Sequence, residues 1–225
     1  MTAQQPKCPK VTVIIPHWNG IEVLEPCLRS IESTKYDHLE VVVIDNASSD
    51  DSVAFVHREF PDVKVIQNSV NMGFAGGCNV GLKEVESEYY LVLNNDTTHD
   101  SNWINPLVEQ METDTKIAAV QPKIMSAQNP EVFDYAGGVG GLLDVLAFPY
   151  ALGRIFTTTE KDDGYYDTPR DIFWASGTAL LIRQTALQDV GLFDEDFFAH
   201  MEEIDLCWRF HNAGWRVVNA PKSRI

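Results

Sequence analysis

Short, mostly apolar runs alternate with amphipathic stretches through the first half of the chain. Residues 11–15 (VTVII), 41–44 (VVVI), 63–66 (VKVI) and 89–93 (YYLVL) are rich in β-branched and aromatic side chains, the composition of strands buried on both faces of a sheet. Between them, residues 22–33 place Val23, Leu24, Leu28 and Ile31 on one helical face, and residues 52–60 and 76–85 also read as helices. Pro16 is predicted to stop the first strand, because proline has no N–H for a central ladder. Residues 103–111 read as a surface helix, 117–120 as a fifth strand, 185–190 as a short helix before Gly191 and 215–219 as a last strand. The middle is less regular. Residues 135–148 are glycine-rich and apolar, and 157–170 are polar with a turn at Lys161-Asp162-Asp163-Gly164. Order resumes over 172–182. Strand and helix in alternation predict an α/β fold with a Rossmann-like, mostly parallel central sheet flanked by helices. One domain over 1–225 is expected, with a nucleotide-binding half at about 11–120 and a half at about 121–225 that completes the site.

Sheets of this kind bind ligands beyond the carboxyl ends of their strands, and here those ends are polar. They read Pro16-His17-Trp18-Asn19, Asp45-Asn46 and Asn94-Asn95-Asp96-Thr97. Asp45 can accept hydrogen bonds from a base or ribose, or can close an Asx-turn as the chain leaves the strand. In the segment Asn71 to Asn79, Gly73, Gly76 and Gly77 permit close backbone approach before a helix, to a ligand or to the sheet. Their spacing is not GxGxxG, and no GKS or GKT occurs. Asp96 can hold a divalent cation that bridges two phosphates, with Asn94 or Asn95 assisting; the alternative is a capped turn. On a helix, Glu202, Asp205 and Arg209 share one face and Glu203 points about 100° away. Three carboxylates this close raise at least one pKa unless a cation compensates, which suits a general base. An acidic first turn with Asp205 paired to Arg209 is the structural alternative. His17 and His200 lack the company of a zinc site; His17 can line a pocket and His200 can support the carboxylates. Trp174, before Ala175-Ser176-Gly177, either stacks on a sugar ring or belongs to the core.

Composition narrows the partners. The chain has 17 Lys plus Arg against 33 Asp plus Glu, a net charge of −16 over 225 residues. That excludes nonspecific nucleic-acid binding and calls for a cation or backbone N–H groups wherever a phosphate is received. The opening MTAQQPKCPK has no apolar leader, and no run approaches the ~20 apolar residues of a membrane span. Cys8, Cys27, Cys78 and Cys207 are far apart without a CxxC, as expected of free thiols in a reducing, cytoplasmic setting.

Taken in order, these motifs resemble the family 2 inverting glycosyltransferases of the GT-A fold, and within them the rhamnosyltransferase-like members that assemble surface polysaccharides. Pro16-His17-Trp18-Asn19-Gly20 resembles the P-x-x-N loop near the nucleotide. Asp45-Asn46-Ala47-Ser48 resembles V-D-N-x-S, and residues 71–79 resemble N-x-G-F-A-x-G-x-N. Asn94-Asn95-Asp96-Thr97 takes the place of D-x-D. Trp174-Ala175-Ser176-Gly177 is similar to W-x-S-G, residues 191–198 to G-x-F-D-E-x-F-F, and Glu202 to Leu206 to E-D-x-D-L. The resemblance implies that Pro16, Trp18, Asn19, Asp45, Asn71, Gly73, Gly76, Asn79 and Asn95 face the nucleotide. It places Trp174, Ser176, Gly177 and His200 near sugar and acceptor, and gives the metal (Mg²⁺ or Mn²⁺) to Asp96. The base is Glu203, where the family has aspartate, or Glu202, with Asp205 and Arg209 orienting it. The implied donor is a dTDP- or UDP-sugar. The implied acceptor is a glycan or lipid-linked saccharide, with peripheral membrane contact at the cytoplasmic face. A sugar nucleotidyltransferase is a second reading, although it places a basic glycine-rich loop after the first strand; a noncatalytic carbohydrate-binding protein is a third. Family members carry a histidine just beyond the P-x-a-x-v strand, and Pro221 to Ile225 stops where it would come next, so the resemblance predicts a natural chain that continues past Ile225.

Overall fold

A computed structural model describes residues 8–225. The segment read above as lacking a leader lies outside them, apart from Cys8, Pro9 and Lys10. The elements are β1 (Val11–His17), α1 (Ile21–Glu32), β2 (Leu39–Asp45), α2 (Ser52–Glu59), β3 (Lys64–Gln67), α3 (Gly73–Glu84), β4 (Tyr89–Leu93), α4 (Ile104–Glu112) and β5 (Ile117–Lys123). Two small hairpins follow, β6 (Gly141–Leu143) with β7 (Pro149–Ala151) and β8 (Arg154–Ile155) with β9 (Thr158–Thr159). Then come β10 (Ala179–Arg183), α5 (Gln184–Val190), a 3-10 turn (Glu195–Phe197), α6 (Glu202–Asn212) and β11 (Arg216–Arg224).

Seven strands form one sheet in the order β11-β5-β10-β4-β1-β2-β3. It is mostly parallel: β10 alone runs antiparallel to its neighbours β4 and β5. Strands from both halves of the chain build it. Side chains alternate along each strand, so each face has its own core. Val11, Val13, Ile15, Leu91 and Leu93 pack with α1, α2 and α4 on one side. Ile14, Val42, Ile44 and Val92 pack with α3, α5 and α6 on the other. In α1 the buried residues are Leu24, Cys27, Leu28 and Ile31, an i, i+3, i+4, i+7 stripe; each fully buried aliphatic side chain contributes about 1.5–3 kcal/mol. Val23, expected on that stripe, is exposed.

Two expectations are corrected, and one left open is resolved. The first strand does not stop at Pro16: it pairs with β2 as far as His17 opposite Asp45. Alternation turns the missing N–H of Pro16 towards β4, where pairing has already ended at Ile14–Val92, so no ladder bond is lost. Residues 221–224, read as a tail after the last strand, belong to β11, which re-pairs Arg224 with Lys123 after an irregularity. The glycines of α3 serve the helix–sheet contact. A Cβ at Gly77 would lie 2.8 Å from Asn46 Nδ2, and one at Gly81 would lie 2.6 Å from Ile14 Cγ2. Among the described residues, no helix is long and apolar enough to cross a membrane.

Candidate active site

Parallel register brings the ends of β1, β2 and β4 to one edge, and hydrogen bonds lock their loops together. Asn19, at φ 54°, accepts from Ser49 N (2.8 Å) and Asp50 N (3.3 Å) through Oδ1, while its own N–H donates to Ser48 Oγ. Asp45 is buried and accepts from Ser48 N at 3.2 Å, which is the Asx-turn alternative. Asn46 donates to Gly73 O (2.9 Å) and accepts from Asn68 (2.8 Å), joining β2 to the start of α3. Trp18 is 57% exposed beside these loops, free to cover a flat ligand, and Pro16 lies against Gly77.

The 71–79 segment behaves differently from its expectation. Asn71 accepts from Gly73 N at 2.9 Å as a local cap. The first-turn amides of Phe74 and Ala75, which a phosphate would use, already point at Phe198 O (2.7 and 3.4 Å). Gly73 has φ +72°, and a Cβ there would sit 2.3 Å from that same carbonyl, so glycine is required by the loop, not by a ligand. Gly76 packs on Met72. Asn79 is buried and reaches across the chain: it donates to Phe193 O and Glu195 Oε1 and accepts from Phe193 N. Gly73 and Asn79 therefore hold the approach to α6, Gly76 packs within its own helix, and Asn71 is exposed beside them.

That approach carries the chemistry. Phe198, His200 and Met201 all have positive φ (53°, 70° and 76°), and the chain enters α6 with Glu202 and Glu203 in its first turn. Glu202 is 4% exposed and Glu203 half-buried, and the Oε2 atom of each is buried without a hydrogen-bond partner. Burial, then the neighbouring Glu203, lifts the Glu202 carboxyl to about 7. Burial also pushes Glu203 upward. A buried, unpaired acceptor costs about 1–3 kcal/mol, a cost that a ligand O–H would relieve. The two residues line a cleft of about 240 Å³ with Ser176, Gly177 and exposed His200. Asn94 and Thr178 continue it into a second chamber of about 440 Å³ that holds Asp96.

Ser176 N donates to Gln121 Oε1 at 2.6 Å, and its hydroxyl pairs with Thr178, which shapes the floor. Trp174 is core: 6% exposed, it packs on Gly137 and Gly141 and donates from Nε1 to Leu142 O. It cannot stack on a sugar. Asp205 and Arg209 form an ion pair at 2.7 Å, and Arg209 also donates to Val190 O and Leu192 O. They tie α6 to the α5 exit and line neither chamber.

Asp96 is exposed at the end of β4 and makes no hydrogen bond among the described residues. No cluster of three or more His, Cys, Asp or Glu side chains able to hold a metal occurs among them. One free carboxylate fits Mg²⁺ or Mn²⁺ delivered with a diphosphate, since such ions use one or two carboxylates plus phosphate and water. Sequence reasoning missed two supports of this loop. His99 bridges Ser30 Oγ and Thr97 Oγ1 and stacks on Trp103 at 4.1 Å; burial lowers its pKa to about 3. His17 is the other. Each is tied to a residue far along the chain, His99 to Ser30 and His17 to Ser52 and Asn95, which no local pattern records.

Comparison with known proteins adds to this geometry. A family model described as glycosyl transferase family 2 matches residues 12–191. An N-acetylglucosaminyl-diphospho-decaprenol L-rhamnosyltransferase of Mycobacterium tuberculosis is 24% identical over 216 residues, which is 90% of this chain and 70% of that protein. A poly-beta-1,6-N-acetyl-D-glucosamine synthase of Staphylococcus aureus is 25% identical over 213 residues, 94% of this chain and 48% of that one. The crystal structure of GalNAc-T7 with UDP, GalNAc and Mn²⁺ superposes with a TM-score of 0.79 at 18% identity, covering 98% of this chain and 44% of that one. The chain thus spans about half the length of the last two.

Proposed function

The chain belongs to glycosyl transferase family 2, and from that premise we propose that it moves a sugar from a nucleoside-diphosphate donor to a hydroxyl of a glycan or lipid-linked acceptor, inverting the anomeric centre. The observation that carries the reading is the pair of carboxylates, Glu202 and Glu203, which line a cleft continuous with Asp96 and each keep one buried oxygen without a hydrogen-bond partner. Asn19, Asn46 and Asp50 at this edge are spent on neighbouring groups; these oxygens are not. Residues 11–120 serve the nucleotide and 121–225 the sugar and acceptor.

Glu203 is the base. It stands at the family's second acidic position and is less enclosed than Glu202. Its carboxylate takes the proton of the acceptor hydroxyl as that oxygen forms its bond to the anomeric carbon, and the bond to the leaving diphosphate breaks on the opposite face. Glu202, with its pKa near 7, retains a proton over part of the neutral range. The pair then carries less than two full charges, which limits the repulsion that a dianionic diphosphate would meet. Asp96 is the residue to hold Mg²⁺ or Mn²⁺; such an ion supplies Lewis-acid charge neutralisation at the diphosphate. Trp18 covers the base, with Pro16 and Asp45 beneath it, and Ser176 and Gly177 floor the sugar. Family resemblance favours a dTDP- or UDP-linked donor, and a lipid-linked acceptor places the work at the cytoplasmic face of a membrane.

Slow donor hydrolysis, followed by proton NMR over a panel of UDP-, dTDP- and GDP-sugars, tests the stereochemistry. The first-formed sugar should have the anomeric configuration opposite to the donor. Retained configuration in that first product contradicts single displacement.

A further inference from the structure

His17 lies at the end of β1 and is 2% exposed. Both of its ring nitrogens are engaged. Nε2 is 2.9 Å from Ser52 Oγ, and Nδ1 is 2.8 Å from Asn95 Nδ2. The order of protons follows from the far end of this chain of contacts. Ser52 has a single hydroxyl hydrogen, and its Oγ lies 2.5 Å from Asp50 Oδ1, an oxygen that only accepts when ionised. Asp50 is further held by Gly20 N at 2.7 Å and Ser52 N at 3.1 Å, contacts that suit the carboxylate form. Ser52 therefore donates to Asp50 and accepts from His17, which puts the ring proton on Nε2. A neutral ring protonated there presents Nδ1 as an acceptor, so Asn95 must turn its NH₂ group inward.

The consequence lies at Asn95. With its nitrogen committed to His17, its Oδ1 is turned away and has no hydrogen-bond partner among the described residues. Asn95 is half-buried and adjoins Asp96. Burial lowers the His17 pKa, outweighing the nearby carboxylates of Asp50, Asp45 and Glu22, and so favours the neutral ring. The P-x-x-N resemblance leaves this position unspecified, so the role comes from the contacts.

We propose that His17 is a positioning residue for the donor, a neutral ring that clamps the Asn95 carboxamide so that Oδ1 stands as a fixed acceptor for a hydroxyl of the bound nucleotide sugar. This rests on the donor reading given above. Without the clamp the carboxamide turns freely and offers nitrogen as often as oxygen, and the hydroxyl contact loses its preorganisation.

Two substitutions separate the two ends of the ring. An asparagine side chain can imitate Nδ1 and accept from Asn95; a glutamine can imitate Nε2 and reach Ser52 but leaves Asn95 unheld. Calorimetric titration with UDP, dTDP, GDP and CDP, each with Mn²⁺, identifies the tightest ligand of the unaltered chain, which is then carried to His17→Asn, His17→Gln, Asn95→Ala and the His17→Gln/Asn95→Ala double variant. His17→Gln should bind roughly tenfold more weakly, the scale of one lost hydrogen bond, and His17→Asn within about threefold of the unaltered chain. The double variant should bind no more weakly than Asn95→Ala alone, because His17 acts through Asn95. Melting temperatures accompany each titration. Equal binding by His17→Gln and the unaltered chain overturns the inference, as does equal weakening in both single His17 variants in step with lower melting temperatures. If the unaltered, folded chain binds none of the four nucleotides, the donor reading itself fails, and this inference with it.

Discussion

Two clusters of polar side chains sit at the same edge of the sheet and are treated in opposite ways. At the ends of β1 and β2, Asn19, Asn46 and Asp50 find partners in a neighbouring loop and Asp45 finds one in its own. At the start of α6, Glu202 and Glu203 each leave a buried oxygen with none. A folded chain pairs its buried polar groups wherever pairing is free to occur, so the first cluster reads as scaffold and the second as a place kept for something absent from the chain. The carboxylate pair differs from its surroundings by what it lacks.

The most forceful way to break this contrast is to neutralise the base. Glu203→Gln should lower turnover by at least about 10³-fold, within the range of a lost general base, while the nucleotide dissociation constant stays nearly unchanged. Glu203→Asp, which retracts the oxygen by about an ångström, should fall between the two at a loss of ~10². Unchanged turnover in Glu203→Gln removes it from the role.

A smaller effect belongs to Glu202. A carboxyl whose folded pKa is raised from 4.5 to about 7 holds its proton more tightly in the folded chain than in the unfolded one. Its contribution to stability is full below about pH 4.5 and is lost as pH climbs through about 7, a change of about 3 kcal/mol. Glu202→Gln should therefore flatten the denaturation free energy between pH 5 and 8 and be the more stable protein at the upper end. A profile as steep as that of the unaltered chain would remove Glu202 as its source.

The scaffold side sharpens the contrast from below. Asn79→Ala deletes three hydrogen bonds to Phe193 and Glu195 and should cost about 2 kcal/mol in urea denaturation, with the pH profile of turnover unmoved. Arg209→Lys loses the contacts to Val190 O and Leu192 O while keeping the charge. Its half-exposed pair with Asp205 is screened by solvent, so a loss of only about 1 kcal/mol is expected, again by urea denaturation. A shifted pH optimum in Arg209→Lys would return that residue to the catalytic group.

How much of this could be read in advance depended on sequence distance. β4 matches the expected 89–93 and most other elements fall within a few residues, because apolar periodicity is a local signal. The antiparallel course of β10 and the extension of β11 over 221–224 are set by sheet neighbours, which periodicity does not record. Asn79 looked like a ligand contact inside a glycine-rich motif, yet its partners lie more than a hundred residues on. Trp174 could be assigned to the core only once Gly137 and Gly141 were seen against its ring. His17 looked bland because Ser52 at the start of α2 and Asn95 beyond β4 are far from it in sequence. The placement of Glu202 and Glu203 at a helix start was legible from spacing; that they are buried and unpaired was not.

The central claim is that the cleft between Asp96 and the α6 carboxylates receives a nucleoside diphosphate with its metal. It is tested most directly by titrating the unaltered chain and Asp96→Ala with UDP, dTDP, GDP and CDP, each in Mn²⁺ and again in EDTA. One nucleotide should bind at least about tenfold more tightly with Mn²⁺ than with EDTA, a difference of about 1.4 kcal/mol or more, and Asp96→Ala should abolish that difference. Metal-independent binding, or an Mn²⁺ effect that survives Asp96→Ala, would contradict it.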